Sequence, residues 1–396
     1  MNSRALEGIT VLDLSSFVAG PTCAQLFADF GAEVVKIEDR RGDEMRQWPP
    51  VVDGESSNFI AANRGKRSMT LNLKSTEGRE LLYRLAEKAD VLIHSFLPNV
   101  AARLGLEWET LRGRNPRLIL CSLSGYGDRG PMANKPGFDL MVQAFSGIMA
   151  LTGDPDGPPK RAGISTIDIS TGLLAYIGIT TALLARSLGR CEGQHVRVSL
   201  LETSMALLGY HITNYLDGGK KPQRAGSGVG HLVPYQAFQA ADGFVLAGAT
   251  NDEVWRRFSE AIGRPELGTD SRFALAADRV INRRVLLGII EPLFLSKTVR
   301  EWVALFERNT VPTAPVQTVE QLVSEPQVAH MDMLIPMDSV TGKMIQLVGV
   351  PVKLSETPGT PGRRPPGLGE HTAEVLAEML QVSSSEVERL RSEGVI

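Results

Sequence analysis

The chain is short of the residues from which several familiar sites are built, and each shortage excludes something. Its three cysteines, Cys23, Cys121 and Cys191, are an odd count without paired spacing, which excludes a disulfide scaffold and points to a reducing compartment. The six histidines, His94, His195, His211, His231, His330 and His371, are scattered. None forms an i, i+4 pair or sits beside a cysteine pair, so no metal centre is expected. A G-x-S-x-G elbow is missing, which removes the common serine-hydrolase arrangement. Basic residues are not massed in one tract and the net charge is only -3, which argues against nucleic acid as a partner. Long hydrophobic runs are missing as well: the most apolar stretch, Gly172 to Ala185, is too short to span a bilayer, and Glu7 and Asp13 interrupt what would be a signal core. These shortages predict a cytoplasmic protein, off the membrane, whose partners are small molecules.

What is present is an ordinary globular composition, 43% hydrophobic and 22% charged, over 396 residues. That length exceeds what one growing core accommodates, so two domains or one elaborated domain are expected. The opening, VLDLSSFVAGPTCAQLFADFGAEVVKIED from Val11 to Asp39, reads as a βαβ unit. An apolar run ends at Leu14, Gly20-Pro21 turns the chain, helix-spaced apolar residues run from Cys23 to Phe30, Gly31 stops the helix, and Val34 to Ile37 form a second run. Glu38-Asp39 stands where a dinucleotide fold places its ribose-reading carboxylate. Yet only Gly20 stands in the turn, and a pyrophosphate-binding G-x-G-x-x-G fingerprint is absent there.

Further along, Arg40 to Ser68 reads as polar surface loop. Glu77 to Lys88 and Val100 to Leu111 read as helices, and Val91 to Ile93 and Leu118 to Leu123 as strands, an alternation that implies a parallel sheet. Leu140 to Met149 and the apolar Thr171 to Leu188 read as helices, and Val196 to Leu201 as a strand. The punctuation GGKKPQRAGSGVG beyond Tyr215 marks a boundary. The expected organisation is a large Rossmann-like α/β domain over 1–215, a smaller α/β domain over 216–339, and a return to the large domain over 340–396.

The most suggestive single residue is Asp168 in AGISTIDISTGLLAY, between a Gly/Ser loop and a strongly apolar helix. Free backbone N–H groups and the helix dipole would keep a carboxylate there ionised, and the same N–H groups would serve an oxyanion. The residues by themselves favour the plainer reading, that Asp168 or Ser170 is an N-cap.

Several long stretches together resemble the family III CoA-transferases, also called the formyl-CoA and carnitine CoA-transferase family. They are LEGITVLDLSSFVAGPTCAQLFADFGAEVVKIE, NRGKRSMTLNLKSTEGRE, ADVLIHSF, SLSGYGDRGP, KPGFDLMVQAFSGIMALTG, DISTG, VPYQAFQAADG and LGEHTAEVL, in order over nearly the whole chain. The resemblance implies a Rossmann-like domain built from both chain ends, a small domain, and a homodimer interlocked like links of a chain. It implies that coenzyme A is a substrate, with acyl-CoA and a free carboxylic acid as partners and no tightly bound cofactor. Matched residue by residue, it assigns Asp168 as nucleophile. Val18, Ala19, Leu71, Asn72, Leu73, Lys74, Ser95, Phe96, Leu97, Arg103, Gly137, Phe138 and Asp139 would line the CoA channel. Formyl-CoA transferases carry arginine after K-I-E where this chain has Asp39, so Arg40, or Arg41, is expected to take over.

The same resemblance extends to the α-methylacyl-CoA racemases, whose chemistry needs acid and base on both faces of a carbon. Racemases carry histidine where this chain has Phe138, which argues against that reading. A noncatalytic CoA-binding role is the third alternative, and it leaves Asp168 unexplained. RAGISTID and GHLVPYQAFQAADG look closer to succinyl-CoA-dependent, dicarboxylate-using members, with Arg161 a candidate partner for a second carboxylate. Gly226, Gly228 and Gly230 suit either a mobile cover or a linker, with His231 read as a surface residue.

Overall fold

The structure is a computed structural model and describes residues 4–396. It divides into two compact units, one of Met1–Ser146, Gly163–Gly209 and Gln327–Ile396, the other of Gly147–Ala162 and Tyr210–Pro326.

The first unit is organised by a six-stranded sheet. Its strands are β1 (Thr10–Leu14), β2 (Glu33–Glu38), β3 (Arg67–Thr70), β4 (Val91–His94), β5 (Ile119–Ser124) and β6 (Gln194–Ser199). They lie in the order β3-β2-β1-β4-β5-β6, and every pairing is parallel. Because side chains alternate along a strand, neighbours such as Val11 and Leu12 serve two different cores. Leu12, Val35, Leu92 and Leu120 pack with Leu81, Leu82, Leu85, Val375 and Leu390. Val11, Val34, Val91 and Ile119 pack with Phe27, Ala175 and Ile179.

The second of these layers contains helices α1 (Ala19–Asp29) and α3 (Thr166–Ser187), with α2 (Asp139–Ser146) between them in the chain. Gly172 lets α3 close on α1, since a Cβ there would stand 2.5 Å from the Ala19 carbonyl oxygen. The expectation for the apolar helix began at Thr171; it starts at Thr166, which puts Asp168 inside the first turn. With 22 residues, α3 is long and apolar enough to cross a membrane by length and composition, unlike the shorter stretch the sequence suggested. Its inner face is spent on packing: Ile167, Thr171, Gly172, Ala175, Ile179 and Ala182 are buried.

Two expectations are corrected here. Val100 to Leu111 is two helices, Pro98–Leu104 and Trp108–Arg114, because Gly105 turns left-handed at φ 69°. Arg40 to Ser68 is not surface loop: it holds the helix Ser57–Asn63 and the start of β3, and Arg64, Lys66 and Arg67 are buried.

The second unit has an antiparallel three-stranded sheet of Tyr235–Gln239, Phe244–Gly248 and Thr313–Pro315. Its core is aromatic, with Trp255, Phe258, Phe294, Trp302 and Phe306 all buried. The expected boundaries shift at three places, the smallest being that residues 210–215 already belong with the second unit. Residues 147–162 belong with the second unit, where the Arg224 guanidinium donates to the carbonyls of Ala150, Asp154 and Gly157. Residues 327–339 belong with the first, where Leu334–Asp338 forms a hairpin with Met344–Val348. The glycine segment is tied down: Arg283 donates to the carbonyls of Val229, Gly230 and Leu232, and the Gly226 N–H to that of Gly153.

Candidate active site

In a parallel sheet every strand ends on the same edge, and loops leaving that edge share one surface. Val18 and Ala19 follow β1 and start α1; Arg40 follows β2; Leu71, Asn72, Leu73 and Lys74 follow β3. Ser95, Phe96 and Leu97 follow β4, with Arg103 in the last turn of the next helix, and Gly137, Phe138 and Asp139 close the loop after β5. Topology therefore brings the expected loop residues to the carboxyl edge, whereas Arg103 stands at the far end of the helix Pro98–Leu104 that leaves it. Lys74, Arg103 and Arg40 are exposed, whereas Leu71 is buried in the core and Asn72 is engaged with Val395 and Gly394. Asp39, which stands where the family arginine was expected, accepts from the backbone of Arg41 and Gly42 and pairs with the Arg41 side chain. Arg41 is thus committed to Asp39, while the Arg40 guanidinium lies against Gly394.

Asp168 lies on the same edge, since α3 precedes β6 and begins where β6 will end. It is half-buried, and its N–H, with that of Ile167, is capped from another helix: Asp139 Oδ2 accepts from Ile167 at 2.8 Å and from Asp168 at 3.1 Å. Gly125 and Gly137 make this possible, because a Cβ on Gly125 would stand 2.7 Å from the Gly137 Cα. Gln143 Nε2 donates to the other Asp139 oxygen at 2.5 Å. Both sequence expectations for these N–H groups are corrected. Asp168 is not the N-cap, which is Ser165. Nor are the Ile167 and Asp168 N–H groups free for an oxyanion, because Asp139 occupies them.

The electrostatics also reverse the expectation. Burial first, and the neighbouring Asp139 charge second, push the Asp168 carboxyl up to about 7, and no lysine or arginine offsets them. The helix N-terminus does not keep it an ordinary acid. What results is a carboxylate poised near neutrality, more basic and more nucleophilic than a solvated aspartate, beside Asp139 and with no cation offsetting it among the described residues.

Behind the β1 turn lies a group of buried ions the sequence reading missed. Lys66 Nζ donates to Asp13 at 2.8 Å, to Asn63 Oδ1 at 2.8 Å and to the Pro21 carbonyl at 3.0 Å. Lys36 Nζ donates to the Ser15 carbonyl at 2.8 Å and pairs with Asp43 at 2.9 Å. Asp13 accepts from the Ser15 N–H at 3.0 Å and from its hydroxyl. Burial raises Asp13, but Lys66 and Lys36 outweigh it and hold the carboxyl below its usual 3.8. A signal existed: Asp13 and Lys36 interrupt otherwise continuous apolar strands, and a charge in a doubly covered strand demands a partner. Glu38 is likewise spent, on Arg46, Ser68 and the Asp43 N–H, so it offers nothing to a ribose.

A third polar group links three adjacent strands, β4, β5 and β6. Ser122 Oγ lies 2.9 Å from His94 Nε2 and 2.8 Å from His195 Nε2, while His94 Nδ1 accepts from the Phe96 N–H at 3.3 Å. Burial, then His195, pulls His94 down to about 3, so the imidazole is neutral and its Nε2 carries the proton it gives to Ser122.

Residues 6–372 match the model of CoA-transferase family III. The chain belongs to that family. This family III CoA-transferase is 38% identical to the succinate–glutarate CoA-transferase of Agrobacterium fabrum, covering 94% of this chain and 95% of the relative. To the succinyl-CoA:glutarate CoA-transferase of Mus musculus it is 35% identical, over 99% and 90%. A solved CAIB/BAIF family protein from Brucella suis superposes with a TM-score of 0.86 at 36% identity, covering 96% of this chain and 100% of that one. The enzyme is therefore a transferase acting on CoA thioesters.

Proposed function

We propose that the enzyme moves CoA from succinyl-CoA to a second dicarboxylic acid through covalent intermediates on Asp168. The observation that carries this reading is the half-buried aspartate poised near pH 7, next to Asp139, at the carboxyl edge of the sheet. An Asp168 oxygen attacks the thioester carbonyl; the C–S bond breaks, the CoA thiolate leaves, and an aspartyl–acyl anhydride remains. The thiolate then attacks the aspartyl carbonyl, releasing the donor acid and leaving an aspartyl-CoA thioester. The acceptor carboxylate attacks that carbonyl, expels the thiolate and forms the second anhydride. Attack of the thiolate on the acceptor's carbonyl yields the new acyl-CoA and restores Asp168. No net proton moves.

The CoA would lie along the loops at Val18-Ala19, Leu71 to Lys74, Ser95 to Leu97 and Gly137 to Asp139, with Arg40, Lys74 and Arg103 offering charge to phosphates. The dicarboxylate preference follows the two relatives, both named for succinate or succinyl-CoA and glutarate. Phe138 favours transfer over racemisation, because a phenyl ring cannot carry a proton. Ile169, Leu173, Leu174, Ile177, Leu184 and Leu188 are exposed along α3, and a second copy covering them fits the interlocked homodimer. Sedimentation at nanomolar protein is expected to show a dimer; monomer would refute the interlocking.

The covalent route is tested by trapping. Hydroxylamine is expected to inactivate the enzyme only after succinyl-CoA has been added, and to modify Asp168. Donor-dependent labelling of another residue, or none, sinks the mechanism.

A further inference from the structure

Phe17 holds a left-handed backbone conformation, φ 67°. A bulky side chain is rarely found there, since its Cβ crowds the following carbonyl. Such an outlier persists only when its surroundings over-determine it, and here they do. On its N-terminal side, Asp13 accepts the Ser15 N–H, Lys36 holds the Ser15 carbonyl, and Ser95 Oγ accepts the Ser16 N–H at 3.2 Å. Phe17's own N–H points to Asp43 Oδ1 at 3.4 Å, and beyond it Lys66 holds the Pro21 carbonyl. Asp13, Lys36, Asp43 and Lys66 are all buried. A buried ionic group is a poor route to stability, because apolar packing of the same volume does as well or better. Each of these four ions makes a contact to the backbone between Ser15 and Pro21.

What the turn presents is one aromatic ring. Phe17 meets Phe138 edge-on, with centroids 5.2 Å apart at 87°, and Trp48 at 5.6 Å. Phe138 and Trp48 are 46% and 40% exposed, so the trio is an open apolar wall and not a core. Phe138 adjoins Asp139, whose carboxylate holds the Asp168 N–H. One end of the wall is therefore joined, through Asp139, to the start of the helix that carries the candidate nucleophile.

We propose that Phe17 is a specificity-determining residue for the acyl group, its ring forming the surface on which the methylenes of a short unbranched α,ω-dicarboxylic acyl chain lie. The buried ions hold its backbone left-handed so that the ring limits chain length. This deepens the reading of the enzyme as a dicarboxylate CoA-transferase and rests on it.

The test is Phe17→Gly beside Phe17→Ala. Glycine removes the ring and also accepts φ 67° without strain, so the fold is retained. The preference for adipyl-CoA over succinyl-CoA, as the ratio of kcat/KM values, is expected to rise about tenfold or more in Phe17→Gly, the worth of a methylene in an apolar contact. An unchanged ratio overturns the proposal. Phe17→Ala is expected to show the same altered ratio but to melt several degrees below Phe17→Gly, as alanine keeps the strain that glycine relieves. Equal melting temperatures would show that the turn is not held left-handed. To separate this from the covalent mechanism, both acyl-CoAs are also titrated calorimetrically into Asp168→Asn with and without Phe17→Gly. The length preference then appears in binding, independent of turnover and of which group is the nucleophile. Loss of transfer in Asp168→Asn with unaltered length selectivity in the pair would reject Phe17 and leave Asp168 standing.

Discussion

Asp13, inside β1, and Asp168, in the first turn of α3, are both aspartates of the first unit, and they behave in opposite ways. Asp13 shares its buried site with Lys66 and Lys36, which hold its carboxyl below 3.8. Asp168 faces Asp139 with no cation, and its carboxyl rises to about 7. Desolvation heads the causes at both positions; the difference is whether lysines answer it. Burial alone thus does not make a reactive carboxylate, and withheld counter-charge does. The paired aspartate holds backbone, and the unpaired one is left available to react.

The largest effect expected from this comparison is on turnover. Asp168→Asn is isosteric, yet a neutral amide cannot attack a thioester, so transfer should fall by on the order of 10³-fold or more while the fold persists. Near-normal transfer in steady-state assays would erase the functional half of the contrast.

Stability should move the other way. Asp13→Asn leaves two buried lysines short of an anion and is expected to lose about 3–5 kcal/mol in denaturant unfolding at neutral pH. Asp168→Asn should gain stability at pH 8, because it removes an anion held in an unfavourable place. The signs follow from linkage. The folded Asp168 binds its proton between 3.8 and about 7, so its contribution is present at low pH and is lost as pH rises through that window. The folded Asp13 releases its proton more readily than the unfolded chain does, so its contribution is present above 3.8 and is lost as pH falls below. Denaturant midpoints of both variants at pH 5 and pH 8 check this; parallel shifts would break the comparison.

A smaller effect isolates Asp139. Asp139→Asn keeps an acceptor for the Ile167 and Asp168 N–H groups but removes the charge, so the rising limb of kcat/KM against pH should move down from about 7. It should not reach the solvated value, since desolvation, the first cause, remains. A limb that stays in place would leave burial as the sole cause.

Much of this was legible in the residues. The alternation of apolar strands ending at Leu14, Ile37, Ile93 and Leu123 with helical spacing announced a parallel sheet, and Gly31 ended α1 where it was expected to, at φ 101°. Asp168 stood out by its place before an apolar helix. What could not be read was which groups faced it. Asp139 is 29 positions away in sequence, and only the contact between Gly125 and Gly137 brings it to the start of α3. Lys66 was misread as surface because local polarity around Arg64 and Arg67 resembles that of a loop. Its partner Asp13 lies 53 positions earlier, and only the sheet order brings the two together. The small unit's antiparallel sheet was missed for a similar reason: short strands between helices do not state their direction, which the pairing of Phe244 with Gln239 settles.

The first core closes in an order the chain cannot choose. Asn72 gives its backbone N–H to Val395 and its side-chain amide to Gly394, 322 positions on, and Val375, Leu376, Leu390 and Ile396 pack into the layer that Leu12 and Val35 begin. During synthesis the face of the sheet bearing Leu12, Leu92 and Leu120 therefore waits only partly covered while the whole second unit is made. Loop closure over such a separation is slow. The second unit, with its own aromatic core, is complete by Pro326 and is free to finish first. The half that carries Asp168 is then the later to mature on the ribosome, and a nascent chain stalled before residue 375 should display an open, chaperone-accessible sheet in place of a working site.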